Sequence, residues 1–192
     1  MEKQNQVYAR GRLISTRERK DGTVVIVVRS VNGKRDIFPR FYCTKDKLPK
    51  LSNHAQVEIT GHFESSRFRN DEGKMETSQR LIADEIIPAR TMTEVKFGVK
   101  GKFFYPPEVT ALIQGTVTSV KDEGGWYRYI IDITNGSRKN TIRVSMKELE
   151  RMPVITKGTN ICAVCVMSTP MKVLEGDKNY FEDVIITDLA VI

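Results

Sequence analysis

The chain has 192 residues, 40% of them hydrophobic, and a formal charge of +7 with a pI near 9.3, which suits an anionic partner. No apolar run approaches the roughly 18 residues of a membrane span, and the opening MEKQNQVYAR lacks the apolar stretch of a secretory signal, so a soluble, cytoplasmic chain is expected. The positive charge is concentrated early: residues 1–88 carry 17 Lys/Arg against 12 Asp/Glu, residues 89–108 carry 4 against 2, and residues 109–192 carry 10 of each.

Val7 to Ile14, Thr23 to Val31 and Asp36 to Cys43 are rich in β-branched and aromatic residues, with Asp21-Gly22 and Asn32-Gly33 between them as turn signals, and predict a three-strand meander. Thr44 to Leu48 opens with a capping-type residue and predicts a short helix. Val57 to Phe63 and Ser78 to Ile87 then predict a hairpin around the polar tip Arg69-Asn70-Asp71-Glu72-Gly73. This order is that of the five-stranded OB barrel, which offers a face and loops to oligonucleotides. Residues 88–108, with Pro88, Gly98, Gly101, Pro106 and Pro107, predict a linker or strap. Its Lys96, Lys100 and Lys102 stand beside Phe97, Phe103, Phe104 and Tyr105, which either pin the strap to a barrel, the favoured reading, or extend a binding path.

The scheme then recurs. At an offset of 103 to 104 residues Gly11 falls on Gly115, Asn32-Gly33 on Asn135-Gly136, Ala55-Gln56-Val57 on Thr159-Asn160-Ile161, Gly73 on Gly176 and Asp84 on Asp188. Such landmarks indicate a duplicated unit. Ala111 to Val120, Trp126 to Thr134, Asn140 to Met146, the helical segment Lys147 to Arg151, Asn160 to Met167 and Tyr180 to Val191 fill the same slots. The expected architecture is all-β: two tandem OB-type five-stranded barrels, each with a short helix between strands three and four. The expected divisions are 1–88, a strap at 89–108, and 109–192.

Strand alternation separates core from outer face. Ala9, Gly11, Leu13, Phe41 and Cys43 fall on one parity, which leaves Tyr8, Arg10, Arg12, Arg29, Phe38, Arg40 and Tyr42 facing outward. Arg67-Phe68-Arg69 adds an aromatic between two cations on the hairpin. Rings on which bases stack, interleaved with guanidiniums for phosphates, suit a single-stranded nucleic acid. The competing reading is a covered protein interface with ordinary surface arginines; a dry interface would rarely hold so many cations without carboxylate partners. In the second half the outer parity of strand four, Cys162, Val164 and Val166, is apolar, so that copy is expected to pack on another surface and bind weakly. Trp126 is either a second stacking platform or a plug of the barrel end.

Cys43, Cys162 and Cys165 are odd in number and fit a reducing compartment; Cys162 and Cys165, three apart on a strand, point to opposite faces and predict reduced thiols. His54 and His62 have no evident Cys or Asp partner at metal-ligand or triad spacing, and no phosphate-binding glycine loop is present. No enzyme activity, cofactor, metal or small-molecule substrate is expected.

Across Gln6 to Pro88 the chain resembles the bacterial single-stranded DNA-binding protein family. Val7-Tyr8-Ala9-Arg10-Gly11-Arg12-Leu13 is similar to that family's first strand, Val57-Glu58-Ile59-Thr60-Gly61-His62-Phe63 to its fourth, and Ser66-Arg67-Phe68 with Gly73 to its aromatic hairpin. The resemblance implies that Phe68 stacks on a base, with Phe38 or Tyr42 as the strand-three ring. It also implies DNA protection in replication, recombination or repair. Two barrels per chain resemble the variants that reach four as a homodimer, in contrast to the one-barrel members that assemble as four chains. Most members end in a disordered tail with an acidic tip; this sequence ends at Asp188-Leu189-Ala190-Val191-Ile192, inside its predicted last strand, so recruitment through such a tail is not expected and a phage, plasmid or accessory role fits. Single-stranded RNA binding and a protein-interaction scaffold are the alternatives.

Overall fold

The structure is a computed structural model that describes residues 4–52, 54–89, 95–96, 102–103, 108–137, 139–149, 153–174, 177–180 and 182–192. In the first half the β-branched runs form β1 (Gln4–Glu18), β2 (Thr23–Asn32), β3 (Arg35–Ile37), β4 (Arg40–Thr44), β5 (Gln56–Arg69) and β6 (Met75–Pro88). β1 pairs antiparallel with β2 and β5, β2 with β4, and β5 with β6. A parallel β4–β6 contact, Phe41 opposite Leu81 and Tyr42 opposite Ile82, closes a five-stranded, OB-like barrel. The alternation expected from the sequence holds: Val7, Ala9, Ile26, Phe41, Ile59, Phe63 and Leu81 are buried inside it.

Two short strands of the strap follow, β7 (Val95–Lys96) paired with β8 (Lys102–Phe103). Phe97, Lys100, Phe104 and Tyr105 lie outside the described residues, as do the side chains of Lys96, Lys102 and Phe103. The second half supplies β9 (Glu108–Asp122), β10 (Trp126–Asp132), β11 (Thr141–Lys147), β12 (Asn160–Ser168), β13 (Met171–Leu174), β14 (Asp177–Tyr180) and β15 (Asp183–Val191). Its pairings follow the same order: β9 with β10 and β12, β10 with β11, β12 with β15, and a parallel β11–β15 contact at Ser145 and Ile185.

Two expectations are corrected. The stretch Asp36 to Cys43 breaks into β3 and β4 because Pro39 has no N–H to give to a ladder. The helix expected between strands three and four is a single 3-10 turn, Lys45–Lys47, with no side-chain cap from Thr44. Pro49 ends it, since a proline biases the preceding residue away from helical dihedrals. In the second half Lys147 ends β11 and Glu148–Leu149 are not helical; Glu150 and Arg151 lie outside the described residues.

The duplication extends to irregularities. The β1–β2 ladder skips Ile14 and the β9–β10 ladder skips Thr118; the β5–β6 ladder skips Asp84 and the β12–β15 ladder skips Thr187. A Cβ at Gly11 would collide with the Arg29 carbonyl oxygen, and one at Gly115 with the Asp132 carbonyl oxygen. Backbone atoms cannot swing aside, so Gly11→Ala and Gly115→Ala are each expected to cost about 1–3 kcal/mol, an overpacking cost, read as a lowered urea midpoint. An unchanged midpoint would show that the strand crossing is not tight.

The halves meet in two ways. β1 pairs antiparallel with β9 from Gln4–Gln114 to Arg10–Glu108, which joins the two sets of strands into one sheet. Around that seam the hydrogen bonds are reciprocal. Asn140 Nδ2 donates to the Phe63 carbonyl at 2.8 Å, and Asn32 Nδ2 to the Met167 carbonyl at 2.9 Å. Thr141 N donates to Ser65 Oγ at 2.9 Å, and Phe38 N to Thr169 Oγ1 at 3.0 Å. Arg143 N donates to Gln79 Oε1 at 2.8 Å, and Arg40 N to Glu182 Oε1 at 2.7 Å. In the last two pairs residue i of one half contacts j of the other while the repeat of i contacts the repeat of j, the signature of a pseudo-two-fold axis, whereas Asn140 and Asn32 reach the equivalent Phe63 and Met167 carbonyls from non-equivalent positions.

Candidate nucleic-acid interface

The outward residues expected to share one face fall on separate surfaces. Tyr8 lies opposite Thr60 of β5 and Thr110 of β9, on the outer face of the sheet that spans the seam. Burial raises its hydroxyl above the ordinary tyrosine value. The Arg10 guanidinium lies 5.3 Å from the Tyr8 ring centroid and within 3.5 Å of Glu58 and 3.8 Å of Glu108. Arg12 is half-buried opposite Arg29. Arg29, expected outside, is only 9% exposed, and its Nη2 donates to Asp36 Oδ2 at 2.8 Å. Arg40 is exposed, with Nε 3.7 Å from Glu182. The expectation that these arginines lack carboxylate partners is therefore corrected for Arg10, Arg29 and Arg40: the partners of Arg10 and Arg40 come from strands remote in sequence, and that of Arg29 from the next strand, seven residues on.

On the same sheet face Val164 is 40% exposed, and Cys162 and Val166 are half-buried. Cys165 points inward, where burial pushes its thiol up to about 12. His62 has an acidic partner after all, Asp84 Oδ2 at 2.7 Å from Nδ1, because the β5–β6 register brings the two together. Among the described residues no group of three or more His, Cys, Asp or Glu is placed to hold a metal ion.

A second surface is differently built. Tyr42 projects outward from β4 between two cations, with the Arg19 and Arg80 guanidiniums 5.2 and 5.3 Å from its ring centroid. It lines a groove of about 300 Å³ with Arg40, Gln79, Arg80, Arg143 and Glu182. Burial raises the Glu182 carboxyl above the usual carboxylate range, against the lowering effect of Arg40. Next to this groove is another of about 240 Å³, which shares Thr77, Gln79 and Arg143 with it and adds Arg67, Ile130 and Lys139.

The β5–β6 hairpin extends past the barrel as an arm whose pairing runs to Arg69 and Met75. Asn70 shapes its tip, accepting from Glu72 N and Lys74 N through Oδ1, and Gly73 adopts φ 76°. Arg67 of the arm lines the second groove; Phe68 is 44% exposed; Arg69 donates to the Gly73 carbonyl at 3.2 Å. Trp126, 38% exposed, shares an outward parity on β10 with Ile130 of that groove. Phe38 is half-buried beside Thr169.

Arg67, Arg80, Lys139 and Arg143 make no ion pair among the described residues, although Arg143 lies within electrostatic reach of the Glu123 carboxylate. Sequence reading missed Arg19, Arg80 and Lys139 as site residues. The repeat places Arg143 outward at the position of Arg40, but sequence reading did not assign it to the site. Arg80 could have been found only from the parallel β4–β6 register.

No protein-family model matches the chain, and no curated protein matches it. Among solved structures it is similar to a deletion mutant of the single-stranded DNA binding protein from Thermus aquaticus, with a TM-score of 0.63 and 14% identity over 100% of this chain and 95% of that one. The wild-type protein from the same organism gives a TM-score of 0.61 and 15% identity over 100% of this chain and 94% of that one. The likeness at this identity is one of fold.

Proposed function

We propose that this chain binds single-stranded DNA with little sequence preference, as a non-enzymatic protein that protects or organises the strand in replication, recombination or repair. The carrying observation is the double groove: Arg67, Arg80, Lys139 and Arg143, which make no ion pair among the described residues, line it with the Tyr42 ring, while Phe68 on the arm and Trp126 on β10 are exposed rings outside its lining. Bases stack on such rings whatever their identity, and the cations track the phosphates. The fold shared with the Thermus aquaticus proteins, whose name states single-stranded DNA binding, supports the same reading.

In this reading residues 1–88 and 109–192 are tandem OB domains joined by the strap, and both contribute to the strand path, since Arg143, Lys139 and Trp126 belong to the second. The Tyr8 and Arg10 side chains then belong with a different surface. The outer sheet face across β12, β9, β1 and β5 combines Val164, half-buried Leu112 and Tyr8, and Arg10, which Glu58 and Glu108 neutralise. A face with paired charges and exposed apolar side chains suits a second copy of the chain, which gives a homodimer with four barrels.

The test is fluorescence anisotropy with labelled oligo-dT, oligo-rU and duplex DNA of equal length. Tight binding of oligo-dT over duplex is the expected result, and equal or tighter oligo-rU binding would transfer the reading to RNA. Absence of binding to all three at low salt would leave the rings as protein contacts.

A further inference from the structure

The pseudo-two-fold axis passes through a site that the duplication has made nearly symmetric and then broken. Arg40 and Arg143 occupy equivalent places in the repeat, each giving its backbone N–H to a side-chain oxygen of the other half. The acceptors are also equivalent, but one is the neutral Gln79 and the other the carboxyl of Glu182. All four residues line the same groove. Glu182 therefore places a carboxylate next to the Arg40 guanidinium, 3.7 Å from Nε, where the equivalent place in the other half holds the neutral Gln79 amide; Arg143 lies within electrostatic reach of the Glu123 carboxylate. An amide would serve the backbone N–H as well as a carboxylate does, as Gln79 shows, so the hydrogen bond alone does not require the acid.

We propose that this axial groove is a phosphodiester subsite at which a single strand crosses from the first half of the molecule to the second, held by Arg143 and Arg80 and weakened on its Arg40 side by Glu182. The inference rests on the single-strand reading and deepens it. A backbone phosphate entering the groove meets the cations of both halves at once, and the second groove continues the path through Arg143 to Arg67 and Lys139. Glu182 competes with that phosphate for Arg40. The chain thus holds the crossing point below the affinity that its own repeat would allow, which favours release and sliding over permanent capture.

The deciding experiment measures oligo-dT affinity at two salt concentrations for the native full chain, Glu182→Gln and Arg143→Gln, with thermal melts as a check on folding. Glu182→Gln copies the natural Gln79 arrangement and keeps an acceptor for the Arg40 N–H. It is expected to bind about 3- to 10-fold more tightly, as removal of one like charge beside a phosphate implies. Arg143→Gln keeps its backbone bond to Gln79 and is expected to bind about 10-fold more weakly, with a salt slope lower by about 0.7. If the native chain binds oligo-dT but neither variant moves affinity or slope, the axial crossing is overturned and the single-strand reading stands. If the native chain does not bind oligo-dT, the single-strand reading falls and the crossing with it.

Discussion

Simultaneous replacement of Tyr42 and Phe68 by alanine is expected to weaken oligo-dT binding by roughly 30-fold to 10⁴-fold, because base–aromatic stacking contributes about 1–3 kcal/mol per base. Neither ring belongs to the core. Phe68 stands on an arm beyond the barrel, and Tyr42 lies on the outer side of β4, where Phe41 and Cys43 fill the inner side. The melting temperature should therefore stay close to native. Tyr42 has the stronger preorganisation: the Arg19 and Arg80 guanidiniums flank its ring, so a stacked base would find cations already in place for its phosphate. Anisotropy titrations of the single and double variants measure the effect. A double variant that binds like the native chain would remove these rings from the interface and leave a purely electrostatic site.

The second large effect is in salt. Four cations that make no ion pair among the described residues, Arg67, Arg80, Lys139 and Arg143, line the grooves. With a slope of about 0.7 per neutralised phosphate on single strands, log affinity should fall against log salt with a slope near −2.8, or about 50-fold between 50 and 200 mM. Arg67→Gln combined with Lys139→Gln should halve the slope, so that the same change of salt costs only about 7-fold. By contrast Arg10→Gln should leave the slope nearly unchanged, because Glu58 and Glu108 already neutralise Arg10 on another surface. A loss of slope on removing Arg10, with none on removing Arg67 and Lys139, would move the strand to the seam sheet.

Particular residues show why part of the site was legible in the sequence. The period of two along a strand assigns Tyr42 outward and Phe41 inward from the local pattern alone, and the structure agrees. Phe68 and Arg67 were legible for a similar reason, since the hairpin tip has no core to fill. Arg29 was misplaced because parity says which side of a strand a residue takes, not what covers that side; Asp36, seven residues on, folds back onto it through the β2–β3 turn. Arg10 was placed with Tyr42 because both are outward, yet β1 changes partners along its length. It pairs with β5 and β9 at Arg10, and with β2 only beyond it.

The sequence by itself determined the all-β class, the recurring strand order, the in-and-out alternation and which rings face outward, since each follows from local propensity, period and offset along one chain. Only the tertiary structure decided which outward residues share a surface, which cations make no ion pair among the described residues, and that the equivalents Gln79 and Glu182 meet in one groove. Those outcomes depend on Coulomb and hydrogen-bond contacts between atoms a few ångströms apart in space but up to 142 residues apart in sequence, as for Arg40 and Glu182. Strand pairing and closure set such distances, and no local pattern encodes them.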